Sequence, residues 1–393
     1  MTAEQGESLG NRLGLVGLCT AIFYFNFLAR VVLSPLLPAI EQDLGIRHAA
    51  AGNFFLLLSV GYAAALLAAG FLGHRMTHHR LIVFSAVAVG LALFGLAAGR
   101  SLPAIHAALL VLGFAGGLYL PSGMSAITAA VAYRHWGMAL GMHEIAPALG
   151  FLSAPLVSEA LLQWFSWRGV LAAVGLASMA LGLVFHVFGR GGLFRGDKAD
   201  LSAVRSVVSP RTFWVMAILF SLAIGASMGV FSMLPLYLVA ERGMERACAN
   251  TLLGLSRIPV LFVAFWAGWF SDRFGPGKTI LLVCVFNGVT TILLGTLPGP
   301  WVWLAIVAQP MMNVCFFPAG FTILSRFVPP ALRGLSISLT MFLSYLAGGG
   351  LMPVLIGAAG DLGSFSAAIV TVGAAMLCSS LLLRYLPAET RAS

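Results

Sequence analysis

The stretch Gly268-Trp-Phe-Ser-Asp-Arg-Phe-Gly-Pro-Gly-Lys278 joins two long apolar runs, and Gly70-Phe-Leu-Gly-His-Arg75 stands at the matching place about 200 residues earlier. The same offset relates Phe316-Phe-Pro-Ala-Gly320 to Tyr119-Leu-Pro-Ser-Gly123. Several matches at nearly one offset indicate an internal repeat. The sequence therefore predicts two halves of similar structure.

The composition predicts what kind of protein these halves form. The chain has 393 residues, of which 60% are hydrophobic and only 9% charged, whereas soluble proteins carry about 25% charged residues. A membrane-spanning helix needs about 20 predominantly apolar residues. This composition excludes an ordinary soluble enzyme, a nucleic-acid binder and a disordered scaffold, and it predicts an all-α membrane protein.

Gly, Pro and charged clusters divide the chain into apolar segments that we number as spans 1 to 12. The predicted spans are 13–40, 50–72, 80–99, 102–131, 137–162, 168–188, 212–239, 248–270, 279–297, 301–326, 334–358 and 365–386. The one long polar connection follows the sixth span. We therefore expect two pseudo-symmetric six-helix bundles, 1–188 and 212–393, joined by a cytoplasmic linker at 189–211.

The distribution of basic residues predicts the orientation. With the N-terminus inside, the inner connections hold roughly three times as many Lys and Arg as the outer ones, which is the bias of cytoplasmic loops. We expect both termini in the cytoplasm, in a multi-pass protein of the plasma membrane that is typical of a bacterial inner membrane. The net charge of +9 then reflects the lipid-facing cytoplasmic side and not a nucleic-acid surface.

At this point the sequence resembles the major facilitator superfamily, over its whole length. The resemblance rests on the six-plus-six spans, the basic central loop, and the Gly268 to Lys278 stretch, which is close to the superfamily's G-x-x-x-D-R-x-G-[RK]-[RK] motif. It implies the major facilitator fold, with a substrate site between the halves and transport by alternating access. It also implies that the motif residues form a gating latch: Gly70, Arg75, Gly268, Asp272 and Arg273.

The earlier copy of the motif has His74 where the superfamily has aspartate. This substitution leaves the N-terminal half of the latch in question or makes it sensitive to pH.

Three charged residues lie well inside the spans, away from their ends, and have no counterpart in the other half: Arg30, Glu144 and Arg257. A charge in the hydrocarbon region costs at least ~2.5–3.5 kcal/mol on insertion scales, so it should face a partner or an aqueous cavity. A guanidinium binds a carboxylate or phosphate through its planar fork. Two arginines against one glutamate favour an anionic substrate, although Glu144 could instead neutralise one arginine without any ligand.

Span 1 carries Asn26 four residues before Arg30, on the same helix face, and Pro35 and Pro38 after it predict a kink. This segment resembles the first span of organic-anion and organophosphate carriers, whereas an arginine in span 8 resembles monocarboxylate carriers. The resemblance implies a small organic anion, a carboxylate, bound by Arg30 and Arg257.

Glu144 and its neighbour His143 are the candidates for proton coupling. A buried carboxylate near an arginine can change its protonation when substrate arrives. A static ion pair is the alternative. Because the two residues are adjacent in a helix, we expect one of them to face neighbouring helices.

Other polar residues within the spans are Tyr119, Gln309 and Asn313. They could line the cavity and bind substrate, or they could form contacts between helices.

Two further functions remain open at this stage. Ala146-Pro147-x-x-Gly150 partly resembles the span 5 motif of drug/proton antiporters, which implies efflux of drugs or amphiphiles. Met138, Met142 and His143 could act as a soft-metal stripe for copper uptake, although methionine on an apolar helix is more often packing.

The sequence contains no Walker lysine loop, HExxH or GxSxG motif, and its cysteines have no metal-like spacing. We therefore expect no enzyme activity, no cofactor and no resident metal. The expected partners are a small anionic substrate, protons and the lipid bilayer, and the protein is expected to be a monomer. A receptor or assembly factor on the same scaffold is a minor alternative.

Overall fold

The computed structural model describes residues 7–196, 204–329 and 332–386. Within these ranges, twelve helices are long and apolar enough to cross a membrane. They agree in number and order with the twelve predicted spans.

The contacts between residues divide the chain into two units. One unit comprises Met1–Leu36 and Leu57–Ala199, and the other comprises Leu37–Leu56 and Asp200–Ser393. This division differs from the sequence-based one, because residues 37–56, at the end of span 1 and the start of span 2, group with the C-terminal unit.

The helices of spans 1 to 6 include two that are interrupted, spans 1 and 4. Their bounds are Leu9–Val31 and Leu33–Leu44 (span 1), His48–Arg75 (span 2), His78–Ala98 (span 3), Leu102–Gly117 and Tyr119–Ala130 (span 4), Trp136–Leu162 (span 5) and Trp167–Phe188 (span 6).

The helices of spans 7 to 12 include π-helical turns in spans 7 and 11. Their bounds are Arg211–Ile224, Gly225–Gly229, Val230–Leu236 and Tyr237–Glu241 (span 7), Arg246–Leu255 and Ile258–Phe274 (span 8), Pro276–Thr296 (span 9), Val302–Asn313 and Phe316–Arg326 (span 10), Arg333–Ser344, Tyr345–Leu351 and Met352–Asp361 (span 11), and Phe365–Ser379 and Ser380–Tyr385 (span 12).

Four spans are broken two to four residues before a proline: spans 1, 4, 8 and 10. Proline lacks the N–H that would bond the carbonyl four residues earlier, and its ring crowds that carbonyl. The prolines that follow the four breaks are Pro35, Pro121, Pro259 and Pro318. The predicted kink in span 1 is confirmed, and it lies at Val32.

Small residues allow the helices to approach closely. In the first unit, a Cβ at Gly113 of span 4 would overlap the backbone of Leu58 in span 2. In the second unit, a Cβ at Gly288 of span 9 would lie 2.9 Å from the carbonyl oxygen of Gly373 in span 12. Such close packing replaces the hydrophobic driving force that is missing between helices in lipid.

The start of the linker packs on the loop between spans 2 and 3. The N–H of His78 donates to the carbonyl of Phe194 at 3.1 Å, and the N–H of His79 donates to that of Gly192 at 2.8 Å. The N–H of Gly196 donates to the carbonyl of Gly73 at 2.8 Å. This part of the predicted solvated linker is therefore bound to the first unit.

Candidate functional site

Arg30 lies in the last turn of the first helix of span 1 and is only 5% exposed. Its guanidinium carbon lies 4.4 Å from the ring centre of Tyr62 in span 2 and 5.0 Å from that of Phe27. A cation over an aromatic face is stabilised when it is withdrawn from water. The helix C-terminus, which carries a partial negative charge, also favours the arginine's position.

Gly116 of span 4 provides the space for this arginine. A Cβ at Gly116 would lie 3.2 Å from Oδ1 of Asn26 and 3.6 Å from Cδ of Arg30. Asn26 and Arg30 therefore adjoin the same point on span 4, in agreement with their predicted position on one helix face. The missing side chain at Gly116 allows both to fit.

Asn26 is fixed by a chain of hydrogen bonds across three helices. Its Nδ2 donates to Oγ of Ser85 in span 3 at 3.1 Å, and Ser85 donates to the carbonyl of Ala115 in span 4 at 2.6 Å. Asn26 is 1% exposed, and its Oδ1 accepts no hydrogen bond from the part of the chain that the structure describes. An acceptor without a donor thus remains beside Arg30.

Arg257 has a similar environment in the second unit. It occupies the break in span 8, at the N-cap of the helix Ile258–Phe274, and is 6% exposed. Its guanidinium carbon lies 4.7 Å from the ring centre of Phe231 in span 7. Each unit therefore holds one buried arginine that adjoins an aromatic ring and stands at a broken helix.

Glu144 contacts a histidine. Its Oε1 lies 3.2 Å from Nδ1 of His143, and its side chain is 54% exposed. Among the described residues it forms no ion pair with an arginine. The sequence-based alternative, in which Glu144 neutralises one of the two arginines, is not the arrangement observed.

His143 faces neighbouring helices and is fully buried. Its ring stacks on that of Phe23 with a centre-to-centre distance of 4.5 Å and an interplanar angle of 7°. Its Nε2 lies 3.1 Å from the hydroxyl of Tyr119, and that hydroxyl also bonds the carbonyl of Cys19 at 2.5 Å. Tyr119 is therefore part of a buried polar chain in the first unit.

These contacts bear on the copper hypothesis. Both ring nitrogens of His143 have hydrogen-bond partners, and Met138 is a largely exposed residue of the same helix. In the described ranges there is no group of three or more His, Cys, Asp or Glu that could hold a metal ion. The geometry does not support the soft-metal stripe.

Gln309 and Asn313 use their amides in contacts between helices. Nε2 of Gln309 donates to the carbonyl of Ala226 in span 7 at 2.8 Å and to Oδ1 of Asn287 in span 9 at 3.1 Å. Asn287 in turn donates to Oδ1 of Asn313 at 2.7 Å, and Thr291 donates to Asn287 at 3.1 Å. This buried network is the alternative that the sequence left open for both residues.

The helices of spans 2 and 8 extend beyond their predicted ends and include the motif residues. Gly70 and Arg75 lie in the helix His48–Arg75, and Gly268, Asp272 and Arg273 lie in the helix Ile258–Phe274. Gly275 follows with φ of 84°, a backbone conformation that favours glycine. Within the described residues, neither Asp272 nor Arg273 forms an ion pair, and both are exposed.

Sequence comparison agrees with this architecture. The profile of the Major Facilitator Superfamily matches residues 18–351 and 258–393. The chain is 26% identical over 286 residues to a probable 4-methylmuconolactone transporter of Cupriavidus pinatubonensis, covering 67% of this chain and 64% of that protein. It is 24% identical over 329 residues to a gallate transporter of Pseudomonas putida, covering 71% and 70%. It is also 23% identical over 279 residues to the multidrug resistance protein MdtG of Salmonella typhi, covering 68% and 69%.

Solved structures of low sequence identity share the fold. A D-xylose-proton symporter superposes with a TM-score of 0.80 at 14% identity, over 97% of this chain and 99% of that one. A bacterial homologue of the lysosomal transporter Spinster, in an inward-facing unoccupied conformation, gives 0.77 at 16% identity, over 97% and 96%.

The chain belongs to the major facilitator superfamily, and the predicted family and fold are confirmed. Its relatives and fold are those of membrane transporters rather than enzymes, in agreement with the sequence prediction. Sequence reasoning missed the neighbours of the arginines, Tyr62, Phe231 and Ser85, and also Asn287 and Thr291. A signal existed for the last two, because Asn287 and Thr291 are spaced i, i+4 in span 9, as Gln309 and Asn313 are in span 10.

Proposed function

We propose that this protein transports a small organic anion, a carboxylate, across the membrane by alternating access. Arg30 and Arg257 each supply a guanidinium for the carboxylate. Oδ1 of Asn26, beside the first, can accept a hydrogen bond only from an N–H or O–H group of the substrate. The named substrates of two relatives, gallate and 4-methylmuconolactone, support an organic acid or its close derivative.

The main observation in support of this function is the pair of buried arginines. A ring beneath a guanidinium contacts its face, whereas a carboxylate binds the N–H groups at its edge, so the two interactions are compatible. Aromatic side chains beside each guanidinium, Tyr62 and Phe231, also favour a substrate that carries a ring.

Proton coupling is the second part of the proposal. Glu144, with His143, binds and releases the proton that accompanies the anion. Both termini lie in the cytoplasm of a bacterium, and the protein works as a monomer in the inner membrane. Asp272 and Arg273, with Gly268, Gly70 and Arg75, form the cytoplasmic latch.

Efflux of drugs or amphiphiles is the second candidate function. It is favoured by the similarity to MdtG and by Ala146-Pro147 in span 5. An efflux pump for hydrophobic cations has no need of two buried guanidinium groups, whose charge would repel such a substrate.

Ligand-dependent thermal stability separates these candidates. The purified protein is heated with gallate, with benzoate and with the hydrophobic cation tetraphenylphosphonium. A ligand at 100 times its Kd stabilises a folded protein by ~2.7 kcal/mol, so we expect the carboxylates to raise the unfolding temperature. Stabilisation by tetraphenylphosphonium alone would instead establish the efflux function. Uptake of radiolabelled benzoate into proteoliposomes, driven by an inward proton gradient, then tests transport itself.

A further inference from the structure

The chain of contacts Cys19–Tyr119–His143–Glu144 determines which groups donate and which accept hydrogen bonds. Its members contact one another in sequence, from the backbone carbonyl of Cys19 to the exposed carboxylate of Glu144. The direction of each hydrogen bond follows from what each group can donate.

The carbonyl of Cys19 sets the direction of the first hydrogen bond in this chain. A carbonyl oxygen can only accept, and a tyrosine hydroxyl has one proton to donate. At 2.5 Å from this carbonyl, the hydroxyl of Tyr119 donates to it. Its oxygen then accepts the hydrogen bond from His143 at 3.1 Å, so Nε2 of His143 carries a proton.

The second nitrogen of His143 must then be considered. A neutral imidazole has a single N–H, so Nδ1 of neutral His143 presents a lone pair to Oε1 of Glu144 at 3.2 Å. Two acceptors do not form a hydrogen bond. The contact therefore requires a further proton, either on Nδ1 with Glu144 ionised or on Glu144 with His143 neutral.

We propose that His143 and Glu144 form one proton-binding site that shares a single proton, and that Tyr119 is the positioning residue that sets the tautomer of His143. The two residues are thus parts of one site rather than alternative carriers. The titratable groups in contact with the imidazole are Tyr119 of span 4 and Glu144 of its own span, and the thiol of Cys19 in span 1 interacts with Tyr119.

The surroundings give the site one accessible end. Phe23 covers the imidazole face, and His143 and Tyr119 are both fully buried. Glu144 is the exposed member. A proton therefore enters and leaves through Glu144, while Nε2 stays bonded to Tyr119.

The proton-binding site of His143 and Glu144 can be tested without substrate. Protein labelled with ¹⁵N-histidine is titrated in detergent by NMR, and the His143 signals are identified by their loss in His143→Gln. We expect Nε2 to remain protonated throughout the titration, and Nδ1 to change its protonation or hydrogen bonding in one step together with Glu144. In Glu144→Gln the amide can donate to Nδ1, so the ring should stay in the neutral Nε2–H form.

Tyr119→Phe tests the positioning role. Without the hydroxyl, the imidazole can adopt the Nδ1–H tautomer, which donates to Glu144 without a further proton. We expect the ¹⁵N spectra of Tyr119→Phe to show the Nδ1–H form of the neutral ring, which the native chain should lack. Tyr24→Phe is the matched control, because its hydroxyl bonds Ser153 in the same unit, and it should keep the Nε2–H form.

The proposal is overturned if His143 proves to be the Nδ1–H tautomer in the native chain. It is also overturned if Tyr119→Phe, folded as judged by size-exclusion chromatography and thermal unfolding, keeps the Nε2–H form as Tyr24→Phe does. Its use in transport rests on the proposed function, which benzoate uptake tests separately. If the NMR titration of His143 gives the expected result but benzoate is not taken up, benzoate transport is refuted and the proton-binding site is not.

Discussion

Asp361 caps the helix that begins at His48. Its two carboxylate oxygens accept hydrogen bonds from the backbone N–H groups of His48 and Ala49, at 3.0 and 3.1 Å. Arg47 adds an ion pair to the same carboxylate at 3.6 Å, and His48 itself bonds Glu41 at 2.9 Å. Residues 37–56 are therefore held to the end of span 11 by one acidic side chain at a helix N-terminus.

Removing this cap should destabilise the protein. A lost N-terminal cap typically costs about 0.5–2 kcal/mol, and the charge also interacts with the helix dipole. We expect Asp361→Ala to lower the thermal unfolding midpoint in detergent. Glu245→Ala is the control, because Glu245 precedes the first helix of span 8 without a side-chain capping bond. Equal effects of the two substitutions would mean that the cap contributes little.

Arg30→Lys and Arg257→Lys should each weaken carboxylate binding by about 10- to 100-fold. Lysine keeps the charge but loses the planar fork, and a hydrogen bond to a charged group is worth about 1.5–3 kcal/mol, at ~1.4 kcal/mol for each tenfold change. The measurement is the benzoate Kd by calorimetry.

Each arginine has a control in its own unit. Arg168→Lys and Arg242→Lys also replace arginines that stand over aromatic rings, Trp167 and Tyr237, yet neither is part of the proposed site. Benzoate affinity that is unchanged in Arg30→Lys and Arg257→Lys, or equally reduced in all four variants, would refute the proposed role of these arginines in carboxylate binding.

Gly116→Ala should perturb Arg30 without touching it chemically. The new methyl would lie 3.2 Å from Oδ1 of Asn26, so the asparagine and the arginine must shift by a few tenths of an ångström. We expect a several-fold loss of benzoate affinity, about 0.5–1.5 kcal/mol, with the protein still folded. Gly137→Ala is the control, because a methyl there meets nothing within 4 Å. If both variants bind benzoate like the native chain, the Asn26–Arg30 pair is not part of the site.

Asn287→Ala should lower stability rather than affinity. It removes the acceptor of Gln309 and the donor to Asn313, and leaves two buried amides short of partners at ~1–3 kcal/mol each. We expect a lower unfolding midpoint with an unchanged benzoate Kd. Thr296→Ala is the control, since its hydroxyl bonds only its own helix at an exposed position. A lower affinity with normal stability would place these amides in substrate binding.

Proline explains how far the fold could be read from the sequence. The sequence predicts a kink after Arg30, and the break occurs there. The rule that places breaks at Pro121, Pro259 and Pro318 does not distinguish them from Pro147 and Pro155, which lie inside the unbroken helix of span 5. Whether a proline breaks a helix depends on neighbouring helices that satisfy or fail to satisfy the freed carbonyl, and one sequence does not contain that information.

The candidate site, like the fold, could be predicted from the sequence only in part. Periodicity places Asn26 and Arg30 on one face, and the repeat identifies the unmatched charges Arg30, Glu144 and Arg257. It does not reveal that Glu144 pairs with its own neighbour. The assignment of residues 37–56 to the second unit likewise depends on tertiary contacts, such as the cap at Asp361, that no local pattern predicts.

The breaks in spans 1 and 8 place Arg30 and Arg257 next to interruptions of their helices. Backbone at such a point has lost part of its regular hydrogen bonding, so the two half-helices can tilt with less resistance than an unbroken rod. If Arg30 and Arg257 bind the substrate as proposed, the substrate therefore acts directly on a broken helix. Substrate binding and helix bending would then occur at the same residue, without intervening residues to couple them.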